Sequence, residues 1–290
     1  MSSTQSLPRN QRIQAALNLL MQAPPGEFNN VFSDIRVLFN DDVALYKEVK
    51  RLCDKYNKDN IIPIHLNGHH VLITRHNEVK KNRFFDPHSR LMFTFNHFTK
   101  KASDFKPVLV GSKQEAEHER WRHAFQESLD DYVKNHYPSG VCNVYCNTLL
   151  RKRGIVVCIE AHDHNTSAFW NGLWTSEWTL PLSLPTTKVA GCIKLQANYY
   201  EGGSIHLSTC HTFEETLCLN GIKEAANRLV EIVKKSDNTI QAALIEEYNS
   251  FSHTSLKAMR RQLPVTRSTL DWNKILASRI LESKPNSSTL

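Results

Sequence analysis

The stretch from Gly140 to Leu219 constrains this chain most, because there the hydrophobic pattern takes a period of two and keeps it. Five successive segments, at about 141–149, 155–162, 169–182, 189–200 and 204–219, are rich in β-branched and aromatic residues and read as strands. Their joints are short, among them Arg151-Lys152-Arg153-Gly154, Pro185-Thr186-Thr187 and Glu201-Gly202-Gly203. A parallel neighbour needs a crossover of roughly a dozen residues or more, which such joints cannot hold, so the segments form an antiparallel meander. Five strands leave a face to be covered. Ile222, Ala225, Ala226, Leu229, Ile232 and Val233 recur at helical spacing just downstream and predict a covering helix at about 222–248. At ~1.5 Å per residue it spans roughly 40 Å.

Upstream, the period is helical. Ile13, Leu17, Leu20 and Met21 mark a first helix, which Pro24-Pro25-Gly26 ends. A second at about 27–39 carries Phe28, Val31, Phe32, Ile35 and Leu38 on one stripe, and a third at about 42–56 carries Val43, Tyr46, Val49 and Cys53. Three short amphipathic helices with tight connections form an antiparallel stalk at about 9–57. Asn67-Gly68, flanked by 61–66 and 71–74, is a type I′ hairpin signal. Asp86-Pro87-His88-Ser89 marks a second hairpin between Phe84-Phe85 and 91–95, giving a middle hairpin segment at about 60–97. Trp121, Phe125, Leu129, Tyr132 and Val133 predict a helix at about 115–136. The fold class is α+β: stalk, middle segment, five-stranded antiparallel sheet and long helix in one globular domain over 1–250, followed by an arm over 251–290.

That arm holds the charge imbalance. Residues 251–290 contain seven Lys/Arg and two Asp/Glu, a net of +5 out of +7 for the chain. A local basic segment points to an acidic partner. Lys257, Arg260 and Arg261 fall at i, i+3 and i+4 of a short helix, so the three cations share a face, while Leu256, Met259 and Leu263 share another. Pro264 ends that helix and Arg267 follows. Ser268-Thr269-Leu270-Asp271 matches a capping box and opens a second helix with Trp272, Ile275, Leu276 and Ile280 on one stripe. A detached helix of about 14 residues is marginal in water, so the stripe is useful only when buried. Packing back on its own body satisfies that. So does an arm laid into a partner's hydrophobic groove with its cations on an acidic rim.

Other chemistry finds little support. There is no P-loop, G-x-G-x-x-G, G-x-S-x-G or H-E-x-x-H. His162-x-His164 and Cys210-His211 lack a second pair at metal-ligand spacing. Glu160, His162 and Asp163 read as a solvated strand end rather than an acid/base cluster. Trp170, Trp174 and Trp178 alternate onto one face, as core or subunit packing would have them. The seven cysteines, odd in number and without C-x-x-C, read as free thiols of a reducing compartment. The N-terminus has no apolar h-region, and no run reaches the roughly 18 apolar residues of a bilayer span, so the expected compartment is the cytosol or nucleus.

Several longer runs carry a resemblance. Gln22-Ala23-Pro24-Pro25-Gly26-Glu27-Phe28, Asp131-Tyr132-Val133-Lys134-Asn135-His136-Tyr137-Pro138, the segment from Phe169 to Trp178, and above all 256–267 with Asp271-Trp272-Asn273-Lys274-Ile275-Leu276 resemble the alpha subunit of F-actin capping protein (CapZ). The likeness covers roughly 9–280; residues 105–114 and the joint Arg151-Lys152-Arg153 diverge from it. The resemblance implies a non-enzymatic protein of the cytoplasmic cytoskeleton, an obligate heterodimer with a structurally similar beta subunit whose sheet continues its own. It implies Ca2+-independent binding to the barbed end of actin filaments and a block to subunit exchange there. By the same match Lys257, Arg260, Arg261 and Arg267 meet acidic actin surface and Trp272, Ile275 and Leu276 carry the hydrophobic contact. Lys257, Arg260 and Arg261 resemble the family's phosphoinositide-responsive site. Myotrophin, capping-protein-interaction motif proteins and an actin-related minifilament are further implied partners. No cofactor is implied. The alternative reading is a basic adaptor that binds phosphoinositide membranes or nucleic acid. Nucleic acid fits poorly, because the arm has one aromatic, Trp272, and no recognised fold signature.

Overall fold

The computed structural model describes residues 8–39, 42–108, 113–146, 154–165, 167, 170–182, 185–199 and 205–253. The chain divides into two compact units, Met1–Val233 and Lys234–Leu290.

Three helices open the first unit: α1 (Arg9–Met21), α2 (Phe28–Phe39) and α3 (Asp42–Asp59). Their facing stripes make one core of Leu20, Phe28, Phe32, Ile35, Leu45, Val49, Cys53 and Tyr56. The turn after α1 is fixed twice. Tyr56 donates its hydroxyl to the carbonyls of Ala23 and Pro24 at 3.1 and 3.2 Å. Gly26 sits at φ +84°, and a Cβ there would lie 2.8 Å from Cδ2 of His164, so only glycine fits the turn and the close approach.

A hairpin follows, β1 (Pro63–Leu66) and β2 (His69–Leu72), with Asn67 and Gly68 at φ 45° and 91° as the type I′ turn requires. The second expected hairpin is the centre of a larger element. β3 (Glu78–Lys80), β4 (Arg83–Asp86), β5 (Leu91–Asn96) and β6 (Lys101–Pro107) form a four-stranded antiparallel sheet in chain order. Its core of Phe84, Phe93 and Phe95 also takes Val71 and Ile73 from the first hairpin. The middle of the chain thus holds two strands that the periodicity did not announce, because β3 has three residues and β6 is exposed nearly throughout, leaving no alternation to read. A buried polar cluster joins α3 to this sheet. Asn57 donates to the His97 carbonyl at 2.9 Å, Nε2 of His97 lies 3.1 Å from Asp54, and Lys58 bridges Asp54 and Glu78 at 2.7 and 2.6 Å.

α4 (Lys113–His136) then leads into the meander: β7 (Val141–Cys146), β8 (Ile155–Asn165), β9 (Trp170–Leu180), β10 (Thr186–Tyr199) and β11 (Ile205–Cys218), in the order β11-β10-β9-β8-β7, antiparallel throughout as the short joints require. The register sets Trp170, Trp174 and Trp178 opposite Tyr199, Leu195 and Gly191, so all three indoles share a face. Trp178 is fully buried and lies on Gly191, where a Cβ would come within 2.2 Å of its ring. On this face Tyr137, following α4, stacks near Trp174 at 6.0 Å. Opposite, Tyr145, Val156 and Cys158 pack with Ile61 and Leu72. α5 (Ile222–His253) buries the expected stripe of Ala225, Ala226, Leu229, Ile232 and Val233.

One expectation fails. Glu160 is no solvated strand end: its side chain is 1% exposed and accepts a hydrogen bond from Nδ1 of His162 at 2.8 Å. Strand β8 continues to Asn165, so Glu160 stands well inside it and faces the covered side of the sheet. Asp163 is exposed, as expected.

Candidate subunit interface

The two edges of the five-stranded sheet are built differently. At β7 the outer backbone groups are occupied by side chains. Gln126, buried on α4, donates through Nε2 to the Cys142 carbonyl at 2.9 Å, and its Oε1 accepts from the amide of Val144 at 2.7 Å. One glutamine amide thus stands where a sixth strand would place its peptide groups. Next along, Asn143 Oδ1 accepts from the Leu72 amide at 2.7 Å and Tyr145 donates to the Leu72 carbonyl at 3.0 Å. Gln126 of α4 thus occupies this edge, while strand β2 is tied to the adjoining face through Asn143 and Tyr145.

At β11 nothing comparable is present among the described residues. The strand is fourteen residues long, pairs with β10 in an unbroken register from Thr186↔Cys218 to Tyr199↔Ile205, and has no further neighbour in the sheet. Its side chains are mostly exposed, with Leu207 at 49%. An open edge is a template for another strand, and soluble proteins usually blunt it with short length, bulges, proline or inward charges. The smaller sheet does so: β3 has three residues and a register shift, while β6 carries Lys101, Asp104 and Lys106, ends on Pro107 and bulges opposite Met92/Thr94. Strand β11 contains no proline, lysine or arginine and no register shift, and its two acidic residues, Glu214 and Glu215, are confined to its last five positions. It is the long, regular, undefended edge of the described structure.

The face beside that edge is polar. His76 hydrogen-bonds Glu177 on β9 at 2.9 Å and holds that carboxyl below its ordinary range against the opposing effect of burial. Further out on that face, His206 of β11 meets Asn198 of β10 at 2.5 Å, while Thr209 and His211, paired at 2.9 Å, lie on the opposite, indole-bearing face.

The predicted arm residues Lys257, Arg260, Arg261, Arg267, Trp272, Ile275 and Leu276 lie outside the described residues, as do the two helices drawn for them. What the structure shows instead is a contrast between opposite edges of one sheet, β11 open and β7 plugged by Gln126. The signal for the plug was in the sequence. Arg122, Gln126, Leu129 and Val133 fall at i, i+4, i+7 and i+11, a single buried stripe with polar residues at two positions. A buried glutamine on a helix beside a strand must find backbone partners.

An α+β chain with a three-helix stalk, a meander and one long terminal helix defines a recognisable architecture, and comparison with known proteins gives its family. The description of the F-actin capping protein alpha subunit matches residues 16–283, and the chain belongs to that family. The F-actin-capping protein subunit alpha-3 of Rattus norvegicus is 34% identical over 284 residues, spanning 96% of this chain and 93% of that protein. The F-actin-capping protein subunit alpha of Caenorhabditis elegans is 33% identical over 278 residues, spanning 93% of this chain and 96% of that one. Among solved structures, the homodimeric actin capping protein alpha subunit from Plasmodium berghei shares the fold with a TM-score of 0.73 at 21% identity, covering 89% of this chain and 98% of its own.

Proposed function

We propose that this chain is the alpha half of a heterodimeric capping protein. In this reading the outer groups of β11 pair with a beta subunit so that two meanders form one sheet, and the assembly binds the barbed ends of actin filaments independently of Ca2+ and blocks subunit exchange. The observation that carries the reading is the undefended fourteen-residue edge in a chain of the alpha-subunit family. Relatives named for F-actin capping support the actin part. The body over 1–250 is the dimerising domain and 251–290 the filament-binding arm, in which Lys257, Arg260, Arg261 and Arg267 make electrostatic contact and Trp272, Ile275 and Leu276 lock it by burial. Phosphoinositide headgroups compete for Lys257, Arg260 and Arg261. The protein is a binder and not a catalyst, and it works in the cytoplasm on the cytoskeleton. Myotrophin, capping-protein-interaction motif proteins and actin-related minifilaments are partners of the same reading.

The test is seeded actin elongation from barbed ends by the co-expressed heterodimer, run with and without a Ca2+ chelator. A truncation ending at Val265 and a Lys257→Ala/Arg260→Ala/Arg261→Ala variant run beside it. Substoichiometric inhibition that survives chelation and weakens in both variants supports the reading; unimpeded elongation by folded heterodimer rejects it. A second assembly has an observation of its own, since the Plasmodium berghei alpha subunit is homodimeric. Self-pairing through β11 predicts a stable dimer of this chain expressed without a beta subunit, which mass measurement in solution decides.

A further inference from the structure

Cys192 on β10 and Cys210 on β11 are near neighbours on one face of the outermost strand pair. The register sets Cys192 opposite Thr212 and Cys210 opposite Lys194, so the two cysteines are diagonal partners on the same side of the sheet. Their sulfurs are 3.3 Å apart, Cys210 is exposed and Cys192 partly so. Cys53, Cys142 and Cys158 are buried. We propose that Cys192 and Cys210 form a redox-sensitive dithiol that closes into a cross-strand disulfide when a small disulfide such as oxidised glutathione is available.

The sulfurs must approach from 3.3 Å to about 2.05 Å. Rotation of the two side chains about their Cα–Cβ bonds, with a small local adjustment of the strand pair, supplies that movement. The Cys192 thiol is pushed up to about 11, by burial first and then by the hydrogen bond and charge of Cys210, while Lys194 pulls it down. This fits Cys192 as the hydrogen-bond donor and Cys210 as the sulfur that reacts first. The Cys210 thiolate attacks the small disulfide and expels one glutathione thiolate, leaving Cys210–S–S–glutathione. The Cys192 sulfur, losing its proton, then attacks Cys210 sulfur and expels the second glutathione. The protein loses two electrons and two protons, and one glutathione disulfide becomes two glutathiones. The bond clasps the β10–β11 hairpin on its face and leaves the outer backbone groups of β11 unaltered.

The test equilibrates the full-length protein, in the assembly in which it purifies, with graded ratios of oxidised to reduced glutathione, then alkylates and maps peptides by mass. The expected result is a Cys192–Cys210 peptide pair two hydrogens lighter than its reduced form, appearing while the buried thiols remain reduced. Cys192→Ser should instead retain one glutathione on Cys210. Wild-type protein that keeps glutathione on Cys210, or in which both thiols alkylate separately at every ratio, overturns the proposal.

Discussion

Glu160 and His162 illustrate how one pair of side chains sets a pH response. Burial pushes the Glu160 carboxyl up, and the hydrogen bond and charge of His162 oppose it. The hydrogen bond to Glu160 holds His162 above its ordinary 6.5, with burial opposing. Both groups therefore bind protons more tightly in the folded state than in the unfolded one. Each contribution to stability is full below that group's unfolded value, 4.5 for the carboxyl and 6.5 for the imidazole, and is lost as pH rises through its folded value, so the His162 part is the one lost near neutrality. Glu160→Gln should bring the His162 titration, followed by NMR, back toward 6.5 and flatten the fall of the urea midpoint between about pH 6 and 8. Gly191 is a second residue with one job. The Trp178 ring occupies the place of its Cβ at 2.2 Å, so Gly191→Ala forces the indole to move and should cost about 1–3 kcal/mol in urea unfolding. Neither could be read from residue type alone. Glu160 looked like a strand end because the sequence shows where apolar alternation stops but not how far a strand continues, and Gly191 gains its role only from the register that lays Trp178 over it.

At the scale of elements, legibility followed burial. Helices α1 to α5 and strands β7 to β10 each bury side chains in a regular pattern, and that pattern imposes a period; β11, mostly exposed, was marked by its β-branched and aromatic content and its flanking joints. The expected bounds accordingly fall within a few residues of the observed ones wherever the chain is described. Strands β3 and β6 bury almost nothing in sequence-visible order, so their place came only with the sheet. Helix α4 was legible as a helix, and its stripe marks Gln126 as facing inward, but the period does not say that the peptide groups it meets are those of Cys142 and Val144. Gln126→Ala leaves the Cys142 carbonyl and the Val144 amide without that partner, and at about 1–3 kcal/mol for each buried group should lower stability on the order of 2–4 kcal/mol. Gln126→Glu should not rescue it, since a carboxylate cannot donate to the Cys142 carbonyl. On the other edge, Leu207→Lys alters an exposed side chain and should move stability by less than about 0.5 kcal/mol. Under the proposed pairing it should weaken association with the beta subunit about tenfold, read by titration calorimetry.

For the whole molecule the charge distribution sets the expectation. Residues 251–290 carry +5 of the chain's +7, so the body approaches partners nearly neutral and the arm does not. Contacts made by the arm should weaken as salt screens them, over a Debye length of about 10 Å at 0.1 M and 3 Å at 1 M. Under the proposed function, filament capping by the heterodimer should therefore lose affinity with ionic strength, and truncation at Val265 should reduce that dependence; seeded elongation at two salt concentrations measures both. The candidate site was only half legible. The arm stood out in composition and spacing, yet its seven residues fall outside the described structure. The edge strand was visible as a strand, but which strand is outermost depends on topology and on what closes the far side.

The Gln126 plug bears on stoichiometry. A polymer chemist would call a building block with two reactive ends a source of endless chains and one with a single reactive end a chain stopper. With one flank of the sheet occupied by a glutamine amide and the other left bare, each copy offers a single valence for strand addition. Under the proposed pairing, growth through that valence terminates at two members. Gln126→Ala would bare the Cys142 carbonyl and the Val144 amide but leave helix α4 beside them, so the count of members should stay at two even as the flank weakens.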